Sequence, residues 1–337
     1  VREIPIAKLL TALTPARLFN VGLVALSLGL AKLIRRPIAW GLPFVMTVEP
    51  TNRCQLACPQ CDRGAGLLQR PTGDMRLSLF DDILRQTHRS VLYLLLYDQG
   101  EPLLHADYVE MVRNAKRHRM VVTCCSNGQE LADADKAWEL AASGLDNLIL
   151  SVDGLTEATF QVYRQGGQLN RVIAAIGHIR QAREALRQKT PRICLQFIVM
   201  KHNEQEIVGL PVVARRWGAD RVLLKSLQVR TAEDGDQWLP KNETFRRYAH
   251  RPGQLFVKNR ADHLCSRLWY SCVVHQDGSV VGCCFDKDNH HVFGDLTIEP
   301  FSTIWQGGKT RTFRRAVAET PKPEICHNCT HGLAIYQ

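Results

Sequence analysis

No uncharged run in this chain reaches the roughly 20 residues that a bilayer-spanning helix needs. The longest, LFNVGLVALSLGLA between Arg17 and Lys32, has fourteen. Low-complexity blocks and short internal repeats are missing too, which excludes fibrous and solenoid architectures. Aromatic residues make up 7% of the chain and form no stripe with basic ones, so the net charge of +10 is not read as a nucleic-acid footprint. No cleavable secretory signal is expected, because residues 1–17 carry Pro5 and Pro15 and no apolar core. The expected compartment is a reducing cytoplasm, where clustered cysteines point to metal and not to disulfides. Acidic residues are scarce at the start: residues 1–48 hold Arg2, Lys8, Arg17, Lys32, Arg35 and Arg36 against Glu3 alone. That basic, apolar opening admits two readings. The first is a helix packed on the main domain. The second is an interfacial helix that rests residues 1–40 on the inner face of a membrane.

What is present is an ordinary globular composition, 45% hydrophobic and 23% charged, over 337 residues. That length suits one large domain and a smaller one. From residue 44 a regular alternation begins. FVMTVE (44–49), VLYLLLY (91–97), MVVTCC (120–125), NLILSV (147–152), ICLQFIVM (193–200) and RVLLKS (221–226) read as buried strands. Amphipathic helices are expected between them, near 78–89, 105–118, 130–143, 155–162, 168–188 and 204–217. Six such units predict an α/β fold, a partial (β/α)6 TIM-like barrel over 44–227, with its chemistry in the loops after each strand. Residues 1–43 form an N-terminal helical extension and 228–264 a polar linker. Residues 265–337 form a small C-terminal α+β domain, in which two short strands flank the turn signal Asp277-Gly278.

Twelve cysteines are the feature that ordinary composition does not explain. Cys54, Cys58 and Cys61 fall just after the first strand. Three thiolates are one short of a closed zinc site, but they can hold a four-iron cluster with one iron open. Their C-x3-C-x2-C spacing resembles the signature of the radical S-adenosylmethionine (SAM) superfamily. The later loops match in order. Gly100-Glu101-Pro102 follows the second strand, Ser126-Asn127-Gly128 the third, and Ser151-Val152-Asp153-Gly154 the fourth, with Arg164 beyond. The resemblance covers about residues 44–226. It implies that SAM binds the open iron, that Gly100, Glu101 and Pro102 meet its amino group, and that Ser126, Asn127, Ser151 and Asp153 touch its ribose and carboxylate. Arg164 would pair with that carboxylate as a planar fork. Taken alone, each loop has a plainer reading: a βα turn, an Asn-Gly turn, an N-cap at Asp153, a solvated charge at Arg164.

A second set, Cys265, Cys283, Cys326 and Cys329, resembles the auxiliary-cluster domain called SPASM and its shorter form, Twitch. In both, four residues separate the glycine of the Asp-Gly turn from a ligand cysteine, as Gly278 stands before Cys283. This favours Cys283 over Cys284. The resemblance implies one further [4Fe–4S] cluster held by four cysteines; structural zinc is the plainer alternative. Cys124, Cys125, Cys194 and Cys272 read as small apolar core residues. Asp286 reads as a solvated turn and His290-His291 as loop residues. Tyr97, Gln99, Gln196, Met200 and Lys201 are expected at the barrel mouth.

The resemblance supplies a reaction class: a 5′-deoxyadenosyl radical that takes hydrogen from a substrate. An electron donor such as flavodoxin or ferredoxin is the implied partner. No leader-recognition domain, C-terminal Gly-Gly tail, cobalamin domain or RNA-binding module is visible in these residues. The expectation is therefore oxidation of a small-molecule or lipid-like substrate, the auxiliary cluster taking the electron. The alternatives are a peptide- or protein-modifying maturase and a non-enzymatic zinc or iron–sulfur interaction protein.

Overall fold

The computed structural model describes residues 6–251, 253–258 and 264–329. The remaining parts of the expected extension, linker and C-terminal domain lie outside the described residues. Strands run in chain order as β1 (Val45–Val48), β2 (Tyr93–Leu95), β3 (Val121–Ser126), β4 (Asn147–Ser151), β5 (Arg192–Val199), β6 (Arg221–Ser226), β7 (Tyr248–Arg251), β8 (Gln254–Val257), β9 (Ser271–Val274), β10 (Ser279–Val281) and β11 (Val292–Asp295). The first six coincide with the six apolar runs of the sequence. The residues gather into two compact units. The boundary falls inside β3, between Cys124 and Cys125.

The first unit takes in Val1–Arg53, Gln69–Cys124 and Ala261–His327. Its strands lie in the order β11-β10-β9-β1-β2-β3. β1 pairs in parallel with β2 on one side and β9 on the other. All four β1 side chains are buried, which is why that strand reads as a continuous apolar run instead of an alternating one. β9 and β10 form the expected antiparallel hairpin, and Gly278 supplies the positive φ of 95° in its turn. Helix Pro15–Ile34 starts at Thr14, whose side chain accepts from the Arg17 N–H, with Pro15 in the first turn. Arg17 does not end this helix. It is buried, and its guanidinium donates to the carbonyls of Ala12, His88, His118 and Arg119 at 2.7–3.1 Å. The helix therefore reaches 20 residues, enough by length and composition to cross a membrane, where fourteen uncharged residues alone fell short.

The second unit takes in Cys54–Leu68, Cys125–Arg260 and Asn328–Gln337. β4, β5 and β6 are parallel neighbours. Two expected helices are interrupted, each for a local reason. Asp133 caps a helix at Ala134–Ala142 by accepting from Asp135 and Lys136 N–H groups, which splits off the turn Glu130–Ala132. Gly209 and Pro211 restart the chain, so that a 3-10 turn at Glu204–Val208 precedes the helix Leu210–Trp217. The linker reading is corrected. Thr231 and Asp234 form a capping box that starts the helix Ala232–Trp238, and β7 pairs with β8 as a hairpin. Trp238, Leu239 and Tyr248 are buried with Leu56, Cys58 and Tyr163. A few well-spaced apolar residues anchor a segment whose average composition is polar.

Candidate active site

The loop that carries Cys54, Cys58 and Cys61 belongs wholly to the second unit. Backbone contacts fix its path: the Ala57 N–H donates to Gln165 O at 2.9 Å, and the Cys61 N–H to Cys58 O at 3.1 Å. Gly64 lies so close that a Cβ there would stand 2.5 Å from Cys58 N and 2.7 Å from Cys58 O. Cys58 is buried, while Cys54 and Cys61 are half-buried. All three pack with Leu56, Tyr163 and Met200. Burial pushes the Cys58 thiol above its ordinary pKa, as do Cys61 and Asp153; Arg164 pulls it down. Metal ligation takes that proton away.

Five of the expected SAM-contacting positions belong to the same unit as this loop. Asn127 is buried; its Nδ2 donates to Gln55 Oε1 at 3.1 Å and lies 4.0 Å from Cys54 Sγ. Ser126 accepts from the Gly128 N–H at 2.9 Å, where Gly128 takes a φ of 77°. Ser151, at the end of β4, lies 3.9 Å from Cys125 Sγ. Arg164 and Asp153 hold each other: Arg164 Nε donates to Asp153 Oδ2 at 2.6 Å, and Arg164 Nη1 sits 3.8 Å from Cys58 Sγ. The other Asp153 oxygen accepts from the Ile198 N–H at 2.6 Å. Burial raises the Asp153 pKa, against the pull of Arg164. The Arg164 Nε is thus engaged within the protein, and this pair braces the thiol loop.

Gly100, Glu101 and Pro102 belong to the first unit. Gly100 has a φ of 84°, and a Cβ there would meet Arg53 O and Asn52 C at 2.7 Å. The Glu101 N–H donates to Arg53 O at 2.7 Å, one residue before Cys54, and Glu101 Oε1 accepts from the Leu103 N–H. Pro102 opens the short 3-10 turn that follows.

The same unit holds a group that motif reading missed. Glu49 after β1, Asp98 after β2 and His275 after β9 bring their donor atoms within 4.8 Å of one another. Arg70 pairs with the first of these, donating to both Glu49 oxygens at 2.8 and 2.9 Å and to Gln276 at 2.6 Å. His275 accordingly faces Asp98 at 3.6 Å, with Asn289 on its other nitrogen. Burial opposes its charge, but Asp98 and Glu49 overcome that and raise its pKa. The available signal was a charged residue at the end of each apolar strand. Among the described residues this is the one trio of metal-type donors so tightly gathered.

Of the second cysteine set, Cys265, Cys283 and Cys326 fall in the first unit, and Cys329 in the second. Arg267 is the residue missed here. Its Nη1 lies 3.9 Å from Cys284 Sγ. A hydrogen bond from Cys283 and the charge of Arg267 lower Cys284 to about 6, while Cys283 is raised. Cys284 is therefore the thiolate-prone member of the pair. Cys124, Cys194 and Cys272 are buried strand residues, whereas Cys125 is half-buried. Asp286 is no solvated turn: it is buried and accepts the N–H groups of His290 and His291 at 2.8 Å. At the expected barrel mouth, Met200 is buried in the core and Lys201 turns to Asp236 O. Tyr97, Gln99 and Gln196 are half-buried.

A family model described as the radical SAM superfamily matches residues 48–209, and one for an iron–sulfur cluster-binding domain, SPASM, matches 265–330. The chain belongs to the radical SAM superfamily and carries a SPASM domain. Mycofactocin maturase MftC of Mycobacterium ulcerans (strain Agy99) is 23% identical over 312 residues, 86% of this chain and 80% of that protein. The PqqA peptide cyclase of Gluconobacter oxydans (strain 621H) is 28% identical over 188 residues, 55% of this chain and 50% of its own. Among solved structures, Streptococcus suis SuiB superposes with a TM-score of 0.64 at 15% identity, covering 90% of this chain and 74% of that one. Native anSMEcpe with bound AdoMet gives 0.59 at 14%, covering 86% and 89%. The fold of this radical SAM protein is accordingly the partial barrel with a C-terminal domain. Its cofactors are SAM and two [4Fe–4S] clusters. The donors fit: soft thiols in an apolar setting, with the Arg164 guanidinium beside Cys58.

Proposed function

We propose that this radical SAM protein modifies a peptide or protein side chain at an unactivated C–H bond. Sequence reasoning placed a small or lipid-like molecule first and a peptide second; the relatives reverse that order. One relative is named as a peptide cyclase. SuiB has been solved with its precursor peptide SuiA, and anSMEcpe with AdoMet and the Kp18Cys peptide. Relatives that act on peptides, together with the intact three-thiol loop here, carry the reading.

Bound together, the cluster and SAM supply a 5′-deoxyadenosyl radical that removes hydrogen from substrate. Cys54, Cys58 and Cys61 would hold that cluster as three thiolates. The Arg164–Asp153 pair keeps Cys58 in register. Within the second unit, Ser126, Asn127 and Ser151 would bind and orient SAM. Cys265 and Cys326, with Cys283 or Cys284, would supply thiolates to the auxiliary cluster. A small electron-carrier protein of the flavodoxin or ferredoxin class is the external reductant.

The test uses reconstituted protein with SAM, a chemical reductant and a size-fractionated cell extract. The peptide fraction should raise 5′-deoxyadenosine formation above the substrate-free rate, and protease treatment of that fraction should abolish the gain. Stimulation confined to a protease-resistant small-molecule fraction would overturn the peptide reading.

A further inference from the structure

Helix Pro15–Ile34 is amphipathic the wrong way round for a helix on a water-facing surface. Its polar side chains point into the first unit. Arg17 and Ser27 are 1% and 0% exposed, and Asn20 exchanges hydrogen bonds with the Leu42 backbone at 2.8 and 2.9 Å. Its large apolar side chains point out: Leu18 is 61% exposed, Phe19 70%, Leu26 65% and Leu33 81%. The exposed positions between Pro15 and Gly29 are Pro15, Ala16, Leu18, Phe19, Ala25, Leu26 and Gly29, none of them polar. Surface helices normally show the reverse pattern. A contiguous exposed apolar face of this kind marks an interaction site.

The surrounding charge selects the occupant. Lys32, Arg35 and Arg36 are exposed at the C-terminal end of the stripe, and no acidic residue occurs between Ile6 and Val48. Trp40 is exposed nearby; a Trp ring with one apolar and one polar edge suits the headgroup level. A second copy of the chain would bring the same cations and no acid on this segment to meet them. An anionic bilayer supplies both the apolar interior and the negative charge.

The inward face decides how the helix would sit. The three Arg17 hydrogen bonds to the carbonyls of His88, His118 and Arg119 would be lost if the helix crossed the bilayer. An in-plane position keeps them all.

We propose that helix Pro15–Ile34 is an in-plane anchor that seats the protein on an anionic membrane surface, with Leu18, Phe19, Leu26 and Leu33 among the acyl chains and Lys32, Arg35 and Arg36 at the headgroups. This inference is independent of the substrate reading.

Full-length reconstituted protein is sedimented with vesicles of phosphatidylcholine alone and of phosphatidylcholine mixed with phosphatidylglycerol. Binding should favour the mixed vesicles and fall in high salt. L18E/L26E/L33E should abolish it. K32E/R35E/R36E should weaken binding to mixed vesicles by roughly a hundredfold. Both variants should retain wild-type iron content, which shows that they fold. Three results would overturn the proposal. The first is no preference for the anionic vesicles. The second is protein from native membranes that resists alkaline carbonate extraction, meaning a spanning helix. The third is wild-type protein that ignores vesicles but dimerises in light scattering, with L18E/L26E/L33E monomeric, meaning that a second copy covers the face.

Discussion

Arg164 and Asp153 show how little a residue's type reveals of its partner. Both occupy positions that the family pattern assigns to SAM, yet here they pair at 2.6 Å with the Asp153 side chain fully buried. A charge buried with its counter-charge tolerates loss of that partner poorly. Asp153→Asn should therefore cost about 3–5 kcal/mol of folding free energy, read from urea denaturation of the cluster-free protein. Asp153→Ala with Arg164→Ala should cost less than the two single changes summed. Additive losses would mean that the pair contributes no coupling. The three thiols were legible as a candidate ligand set from their residue type and spacing, read together with the loops that follow in order. Arg70, Arg267 and His275 were not, because their roles come from neighbours outside any local motif, Lys287 for Arg70 lying 217 residues along the chain.

At the scale of elements, the apolar runs located six strands, of which β1 and β4 are buried along their whole length and need no alternation. The segment after β6 was misread because its capping box and a few aromatic anchors are local signals diluted by polar neighbours. The thiol loop is the element most exposed to a small change. Gly64 leaves no space for a methyl group against the Cys58 backbone, and backbone cannot swing aside as a long side chain can. Gly64→Ala should remove most of the iron bound at Cys54, Cys58 and Cys61 and spare the auxiliary site. Iron analysis with electron paramagnetic resonance of the reduced protein checks this; two intact cluster signals would show that the loop adapts.

For the whole molecule the test is a count of inorganic atoms. Anaerobic reconstitution should give about eight irons and eight sulfides per chain, falling to about four of each when Cys54, Cys58 and Cys61 are all changed to Ala. Cys283→Ala and Cys284→Ala, made separately, should differ: the ligand's loss removes the auxiliary cluster and the other's does not. Zinc in place of the second set of irons would contradict the two-cluster assignment.

The sequence by itself determined the parallel α/β architecture and the cofactor class, SAM with iron–sulfur clusters. Each of these is written in local order: apolar runs of strand length, ligands a few residues apart, glycines where the backbone must turn. Only the tertiary structure decided which charges are held internally and which face of the first long helix is left outward. Those outcomes depend on contacts between segments distant in the chain. Arg17 looked like the end of an apolar run until the carbonyls of Ala12, His88, His118 and Arg119 converged on it, and that burial turned the apolar side of the helix to the outside.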